Sequence, residues 1–401
     1  FRSPVCHFSG IIVSSRVAIF LDCNATTRPH DEVIEAMLPY LTEHWQNPSS
    51  CYASARRVCE AVEEARREVA TVLGAKPGEI IFTSGGTEAN NNALRALSQE
   101  VGRTHSKILV SAIEHCSVLR PVEAMAAGGF EVEQVGVDSD SRLDLAAFRA
   151  SIEDSRPGFV SVMRANNETG VIQPLSEVCR IAKQAGWFIH TDAIAAVGKT
   201  PVRVDDVPVD FLSLSGHKFH GPKGIGVLFV REGSPFEPIL RGGGQESGRR
   251  GGTEPVAAII GLGVAARIAG AAVADGTVDR VAALRDRLEA HLLREFGDGL
   301  EGVQCNGARA PRTANVAHIR FPGCDAAELL RALDQVGVEC SIGSDCLTGK
   351  INKVSHVQRA MGFSETQALS SLRFSLSLFT THVEIDEAAE RIVGAVKRMR
   401  R

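Results

Sequence analysis

The 401-residue sequence lacks the features that mark several classes of protein. Its ten cysteines form no CxxC pair and follow no regular spacing, which argues against a disulfide scaffold and predicts no metal site. The net charge is only −4, from 44 basic and 48 acidic residues, so nothing indicates binding to nucleic acid or to an anionic membrane surface. The longest apolar stretch, 256–274, is interrupted by Arg267 and favours a packed helix over a membrane span.

Cysteines without a disulfide pattern are typical of a reducing compartment, where most thiols serve as small buried apolar residues. Residues 1–19 contain no acidic residue and no clear signal-peptide cleavage pattern. We therefore expect a cytoplasmic protein. Its 44% apolar and 23% charged residues are typical of a globular chain with enough apolar material for a large core.

Short apolar runs alternate with longer amphipathic stretches between about residues 30 and 265. Six runs have the character of buried strands, namely 79–84, 107–112, 158–163, 187–192, 210–215 and 226–230. Helical patterns at 53–74 and 175–186 lie among them. The alternation predicts parallel βαβ units with helices on both faces of the sheet.

The pattern changes after Gly270, where a helix over 277–296, short strands near 315–321 and 337–341, and a last helix over 384–400 are predicted. These elements indicate a second, smaller α/β domain. We therefore predict three parts. They are an N-terminal segment, 1–30, that packs on the small domain, a large cofactor-binding domain, 31–265, and a small C-terminal domain, 266–401.

Lys218 follows the predicted strand 210–215, at the strand end where open α/β sheets place their ligands. Such a lysine can be a solvated loop charge, a phosphate clamp or an amine desolvated enough to attack a carbonyl group. The local sequence leaves these alternatives open. Asp192 ends the neighbouring predicted strand, where a lone aspartate is more often a cap or turn residue.

A glycine turn follows the strand 79–84 and precedes a helix that is predicted to begin near Thr87. Free backbone N–H groups and the helix dipole make such a turn an anion site, although it matches neither a Walker loop nor a GxGxxG fingerprint. This turn, Asp192 and Lys218 together match the needs of pyridoxal phosphate, which are a phosphate cradle, a carboxylate for the pyridinium nitrogen and a lysine. His115 could stack on its ring, and the Asn167 amide could reach it.

Several segments resemble, in order from about residue 20 to 390, the cysteine desulfurase family, the NifS/IscS-like branch of the class-V pyridoxal-phosphate-dependent enzymes. The segments include LDCNATT (21–27), TSGGTEANN (83–91), ANNETG (165–170), HTDAIAAVGK (190–199), SGHKFHGPKGIG (215–226) and LRFSLS (372–377). The resemblance implies an α/β fold of fold-type I. Its large domain contains a seven-stranded, mostly parallel sheet, its smaller domain is α/β, and the protein is a homodimer.

The resemblance also implies roles for the residues around pyridoxal phosphate. Lys218 binds the cofactor covalently, Asp192 partners its pyridinium nitrogen, and His115 stacks on the ring and serves as acid or base. The cofactor-binding residues implied in addition are Gly86, Thr87, Asn167, Ser215 and His217, with Thr253 reaching the phosphate of the partner subunit.

Two further residues are implied to act on the substrate, L-cysteine or a related sulfur or selenium amino acid. Arg373 binds its carboxylate, for which a guanidinium gives a bidentate grip, and Asn167 is a second substrate-binding residue. Cys346, on a loop of the small domain, takes the sulfur as a persulfide for a sulfur-acceptor protein, and alanine is released.

The chain also departs from the family pattern. Ala195 stands where the family has a glutamine that hydrogen-bonds the phenolic oxygen of the cofactor, and Asp345 precedes Cys346 in place of a small residue. A carboxylate there disfavours the thiolate and predicts slow desulfuration near neutral pH. The alternatives are a C–S or C–Se lyase of the selenocysteine lyase kind, a transaminase that does not use Cys346, or an inactive scaffold for sulfur-transfer partners.

Overall fold

The structure is a computed structural model that describes residues 18–102, 107–298, 301–343 and 354–400. Its strands are β1 (Ile19–Phe20), β2 (Ile80–Thr83), β3 (Lys107–Ser111), β4 (Glu131–Val135), β5 (Phe159–Ser161), β6 (Phe188–Asp192), β7 (Phe211–Ser215), β8 (Gly226–Val230), β9 (Gln304–Cys305), β10 (Val316–Arg320), β11 (Val338–Glu339) and β12 (Ser371–Ser375).

The helices in these ranges are α1 (Asp31–Met37), α2 (Pro39–Thr42), α3 (Ala53–Leu73), α4 (Gly86–Val101), α5 (Cys116–Ala127), α6 (Leu145–Glu153), α7 (Leu175–Gln184), α8 (Val256–Ala274), α9 (Thr277–Phe296), α10 (Ala326–Gln335), α11 (His356–Ala360), α12 (Glu365–Ala368) and α13 (His382–Met399). Short 3₁₀ turns cover Pro77–Glu79, Gly216–Lys218 and Gln245–Gly248.

The main sheet has seven strands in the order β2-β8-β7-β6-β5-β3-β4. Only β8 runs antiparallel to its neighbours β2 and β7, and the other pairings are parallel. Because the parallel strands share one direction, their carboxyl ends meet at one edge of the sheet. This arrangement confirms the predicted α/β class and its mostly parallel sheet.

Helices cover both faces of this sheet, as the apolar patterns predict. Along α3, buried residues such as Val58, Val62, Val69 and Leu73 recur at helical spacing, and the helix ends at Gly74 in the left-handed region. Helix α8 packs closely on α3, because a Cβ atom on Gly263 would lie 2.7 Å from Ala65. The glycine therefore permits the two helix backbones to approach.

Helix α8 is long and apolar enough to cross a membrane by length and composition, and half of its most apolar window is buried inside the structure. It contributes Ile259 and Leu262 to the core of the large sheet and Ala272 to the core of the smaller region. The predicted domain boundary between residues 265 and 266 therefore falls inside one continuous helix. The division into domains remains a prediction.

The smaller region contains the antiparallel sheet β12-β10-β9, packed against α9, α10 and α13. Strand β1 pairs in parallel with β11, and Ile19 and Leu21 lie in the same apolar core as Phe374 and Ile385. The chain then continues from Leu21 toward the carboxyl-end edge of the main sheet, where residues 22–27 contact the turn after β7.

Candidate active site

A cavity of about 350 Å³ lies at the carboxyl ends of the parallel strands. It brings together all of the predicted cofactor residues except Thr253. These are Gly86, Thr87, His115, Asn167, Asp192, Ser215, His217 and Lys218. Their roles remain predictions, but their placement around one cavity follows from the topology, because each stands in or just beyond a loop at this edge of the sheet.

Asp192 ends β6 and is almost fully buried. Its Oδ2 accepts a hydrogen bond from Asn90 over 2.7 Å, and its Oδ1 accepts one from the backbone N–H of Ile194 over 2.9 Å. Burial raises the pKa of this carboxyl, while the nearby His115 and Lys218 lower it. In the part of the chain that the structure describes, no side chain forms an ion pair with Asp192. A cationic ring nitrogen would supply that partner.

Lys218 lies in the 3₁₀ turn that follows β7, at the floor of the cavity. Its Nζ donates to the backbone carbonyls of Asn24 and Ala25, over 2.5 and 2.8 Å. Thr27 fixes the same turn, because its N–H and its hydroxyl both donate to the carbonyl of His217. The N-terminal segment thus holds the lysine in place.

The cavity is also lined by the N-terminus of α4, through Gly86 and Thr87. A Cβ atom on Gly86 would lie 2.0 Å from the terminal methyl group of Ile194, so a larger residue there would require the Ile194 side chain to move. The 16-residue helix directs its free N–H groups and its dipole toward the cavity, which suits a phosphate. His217 also lines the cavity, and burial and then the charge of Lys218 lower its pKa to about 4. It is therefore neutral, with Nδ1 3.1 Å from the Thr26 hydroxyl.

His115 caps the N-terminus of α5. Ser117 donates its backbone N–H to Nδ1 of His115 over 3.1 Å, and the hydroxyl of Ser117 lies 2.7 Å from the same nitrogen. Because Nδ1 accepts, the neutral ring carries its proton on Nε2. Asn90 donates to both the Ser117 hydroxyl and Asp192, so a hydrogen-bonded chain joins His115 to the buried carboxylate.

Glu114 is a site residue that the sequence analysis missed, although it directly precedes His115. Its side chain is fully buried, and its Oε1 accepts the backbone N–H of Met163 over 2.6 Å. Burial, together with the charge of Asp192, raises its pKa well above the ordinary value. The surroundings of Glu114 thus disfavour its charged form, and Asp192 is one of the charges that do so.

Arg373, the predicted carboxylate clamp, is completely buried in β12 and is not a surface residue. Its Nη1 donates to the carbonyl of Asn167 over 3.0 Å, and its Nη2 donates to Asp22 over 2.7 Å. In this structure the guanidinium is thus engaged by a carboxylate of the protein itself. Its role toward substrate remains a prediction.

Two predicted residues lie elsewhere. Thr253 is exposed and is not among the residues that line the cavity. Cys346 and Asp345 lie outside the described residues. The described positions on either side of that segment both approach Glu168. Its carboxylate accepts a hydrogen bond from Ser355 over 2.6 Å, and a Cβ atom on Gly343 would lie 3.3 Å from it.

The residues that line the cavity fit pyridoxal phosphate. They supply a buried carboxylate for its ring nitrogen, a lysine amine, and a glycine turn at a helix N-terminus for its phosphate. A second lysine, Lys199, also lines the cavity, and the sequence analysis did not single it out. Its only signal in the sequence is its place at the end of the segment HTDAIAAVGK.

Comparison with known proteins agrees with this geometry. The model of the aminotransferase class-V family matches residues 19–387. Cysteine desulfurase 2 of Trichormus variabilis is 43% identical over 383 residues, which cover 95% of this chain and 94% of that protein. A solved NifS-like protein superposes with a TM-score of 0.87 at 32% identity, covering 95% of this chain and 100% of the other.

A second solved structure, SspA in complex with cysteine, superposes with a TM-score of 0.77 at 31% identity, covering 90% of this chain and 99% of that one. Both the family model and the relative cover nearly the whole chain, including the N-terminal segment that contacts Lys218. The chain therefore belongs to the class-V aminotransferase family and, within it, to the cysteine desulfurases.

Proposed function

We propose that this enzyme removes sulfur from L-cysteine with pyridoxal phosphate, releases L-alanine, and leaves the sulfur on Cys346 for transfer to an acceptor protein. The observation that carries the proposal is the arrangement of Lys218, Asp192 and the α4 N-terminus around one cavity. The relative from Trichormus variabilis is named a cysteine desulfurase, and the solved SspA structure holds cysteine, which supports the same substrate.

The side chains around the cavity divide the work as follows. The N–H groups of α4 bind the phosphate, and Asp192 holds a proton on the ring nitrogen. When bound, pyridoxal phosphate withdraws electrons from the substrate and makes its Cα–H bond acidic. The Nζ of Lys218 removes the Cα proton, and Nε2 of His115 holds a proton that it can give to or take from the substrate.

Sulfur transfer then requires a thiolate. The Cys346 sulfur attacks the substrate sulfur, so that an S–S bond forms while the Cβ–S bond breaks. The electron pair of the broken bond returns to the carbon skeleton, where Cβ takes up a proton and alanine results. Cysteine and enzyme thiol thus give alanine and enzyme persulfide, with no external oxidant.

The experiment measures sulfide and alanine from purified enzyme, cysteine and a reductant that releases the persulfide. Cys346→Ala should abolish both products, whereas Cys51→Ala, at an exposed thiol far along the chain, should leave them unchanged. A lyase or transaminase that does not use Cys346 would keep its activity in the Cys346→Ala variant. Protein that does not become yellow with pyridoxal phosphate would contradict the cofactor assignment.

A homodimer is part of the proposal. Thr253 is exposed and is not among the residues that line the cavity of its own chain, which agrees with a role at the partner's phosphate. In addition, Leu38, Leu41 and Trp45 are 51%, 62% and 71% exposed, which is unusual for large apolar side chains. Thr253→Ala should weaken cofactor retention with little change in Tm. A monomer in sedimentation that retains its cofactor fully would overturn this part.

A further inference from the structure

Two lysine amines, not one, line the cavity. Lys199 lies in the turn after β6, seven positions beyond Asp192, and is partly buried. Its Nζ donates to Oδ1 of Asn24 over 3.2 Å, whereas the Nζ of Lys218 donates to the backbone oxygen of the same residue over 2.5 Å. Asn24 therefore holds both amines on one side of the site.

The two amines differ in their hydrogen-bond partners. Lys218 donates to two backbone carbonyls, which suits an ammonium group with several protons. Lys199 shares its amide oxygen with Asn315, which donates to the same Oδ1 over 2.9 Å, and no described carboxylate forms an ion pair with it. The surroundings thus favour a charged Lys218 and an uncharged Lys199.

The charged groups around Lys199, like its hydrogen bonds, favour its neutral form. Burial, followed by the charge of Lys218, lowers the pKa of Lys199 to about 7, while Cys23 raises it and Arg373 lowers it further. The imidazoles of His217 and His220 also face it, but burial lowers the pKa of each, so they are neutral near pH 7.

The Asp22 carboxylate, which directly precedes Cys23 in the chain, is paired with Arg373. Around neutral pH, Lys199 is therefore the amine in the cavity that is able to take up a proton.

A charged Lys218 cannot attack an aldehyde, because its nitrogen has no free electron pair. We propose that Lys199 accepts the proton that Lys218 must release before it bonds the cofactor, and so acts as a positioning residue for the charge of Lys218. The inference rests on the proposed binding of pyridoxal phosphate at Lys218.

The step is a proton exchange between two amines. The ammonium of Lys218 becomes an amine, and the amine of Lys199 becomes an ammonium. The neutral Nζ of Lys218 then attacks the aldehyde carbon, a C=N bond replaces the C=O bond, and the oxygen leaves as water. Both lysines also line a neighbouring cavity of about 30 Å³, which has room for about one or two water molecules that can carry the proton.

The test uses the cofactor-free enzyme and measures the rate at which pyridoxal phosphate produces the visible absorption, as a function of pH. Lys199→Met removes the acceptor and should slow the reaction near neutral pH by about tenfold, moving the curve up by about one pH unit. Lys199→Arg keeps the positive charge but stays protonated and cannot accept a proton, so near neutral pH it should be about as slow as Lys199→Met. Lys223→Met removes an exposed lysine of the same loop and should not change the curve.

A second readout does not depend on the cofactor. Cyanate modifies neutral amines, so the modification of Lys199 and Lys218, followed by peptide mass spectrometry, reports the charge of each. The wild type should modify Lys199 with a midpoint near pH 7, and Lys199→Met should slow modification of Lys218.

Three outcomes are decisive. If the pH curves of Lys199→Met and wild type coincide, the inference is wrong. If Lys199→Arg is as fast as the wild type, a positive charge at this position rather than proton acceptance sets the rate, and the inference is also wrong. If the wild type forms no visible absorption at any pH, the proposed cofactor site fails, while cyanate still reports whether the two amines share a proton.

Discussion

The two walls of the cavity are built in different ways. One wall consists of Gly86, His115, Asp192 and Lys218, each of which stands in or directly after a strand or helix of the main sheet. The other wall consists of Asn24 and Ala25 of the N-terminal segment 22–25, which meets the rest of the site through hydrogen bonds between remote parts of the chain. Lys218 and Asn24 are 194 residues apart, and Arg373 and Asp22 are 351 residues apart.

The sheet wall contains the groups that carry out the chemistry, whereas the N-terminal wall contains the groups that control the charges of those side chains. The sheet wall supplies the lysine, the carboxylate and the phosphate cradle, each of which stands beside the carboxyl end of a strand. The N-terminal wall supplies no predicted catalytic group, but its carbonyls bind Lys218, its amide binds Lys199, and its carboxylate binds Arg373. We therefore expect changes in the sheet wall to abolish function and changes in the N-terminal wall to retune it.

The largest effect is expected from Asp192→Asn, which keeps the size of the side chain but removes its charge. Loss of a charge-assisted hydrogen bond should raise the Kd for pyridoxal phosphate by about 10–100-fold and reduce activity at least as much. Asp210→Asn is the matched control, because Asp210 is a buried carboxylate beside β7 at the opposite edge of the sheet, paired with Lys183. Asp210→Asn should lower Tm and leave the Kd for pyridoxal phosphate unchanged. Equal Kd values for both variants would remove the special role of Asp192.

The sheet wall could be predicted from the sequence because its signals are local. The six predicted strands all occur in the sheet within two residues of the predicted ends, and α4 begins at Gly86, next to the predicted Thr87. Strand β4 was missed, since Glu131, Glu133 and Gln134 give an edge strand little apolar pattern. Asn24 and Lys199 were missed for another reason, because only tertiary contacts bring them to the site.

Acid sensitivity should be shared by the large sheet and the smaller antiparallel sheet, because each contains a fully buried histidine that is neutral in the folded protein. His190 in β6 and His318 in β10 are fully buried, and burial lowers the pKa of each from 6.5 to about 3. Between these values the unfolded chain binds the proton and the folded protein does not. The folded state therefore loses stability as pH falls below 6.5, by about 1.4 kcal/mol per pH unit for each histidine.

Thermal unfolding measured from about pH 6.5 down to about pH 4.5 tests this expectation. His190→Asn and His318→Asn should each flatten the decline of Tm with falling pH, whatever their effect on Tm at pH 7. A variant whose decline stays as steep as that of the wild type would show that its histidine is already charged in the folded protein.

A moderate effect is expected from Asp22→Asn in the N-terminal wall. Asparagine can still accept a hydrogen bond from Arg373 but no longer neutralises it, so the guanidinium becomes a stronger partner for the substrate carboxylate. The KM for cysteine should fall by about tenfold with a smaller change in kcat. Asp31→Asn, at an exposed carboxylate paired with Arg28, should change neither. A higher KM in Asp22→Asn would mean that Asp22 orients Arg373 instead of competing for it.

The smallest effect is expected from Ala195→Gln, which adds to the sheet wall the amide that the related enzymes have. Ala195 lines the cavity next to Ile194, so a glutamine there can donate to the phenolic oxygen of the cofactor. That donation draws charge from the oxygen and weakens its attraction for the proton on the neighbouring nitrogen. The pH at which the visible absorption changes should therefore fall, by up to about one unit for a hydrogen bond of about 0.5–1.5 kcal/mol. Ala195→Leu fills similar space without a donor and should leave the midpoint where it is. If Ala195→Gln and Ala195→Leu have the same pH midpoint, the shift results from the larger side chain and not from hydrogen bonding. This position would then not tune the charge of the cofactor.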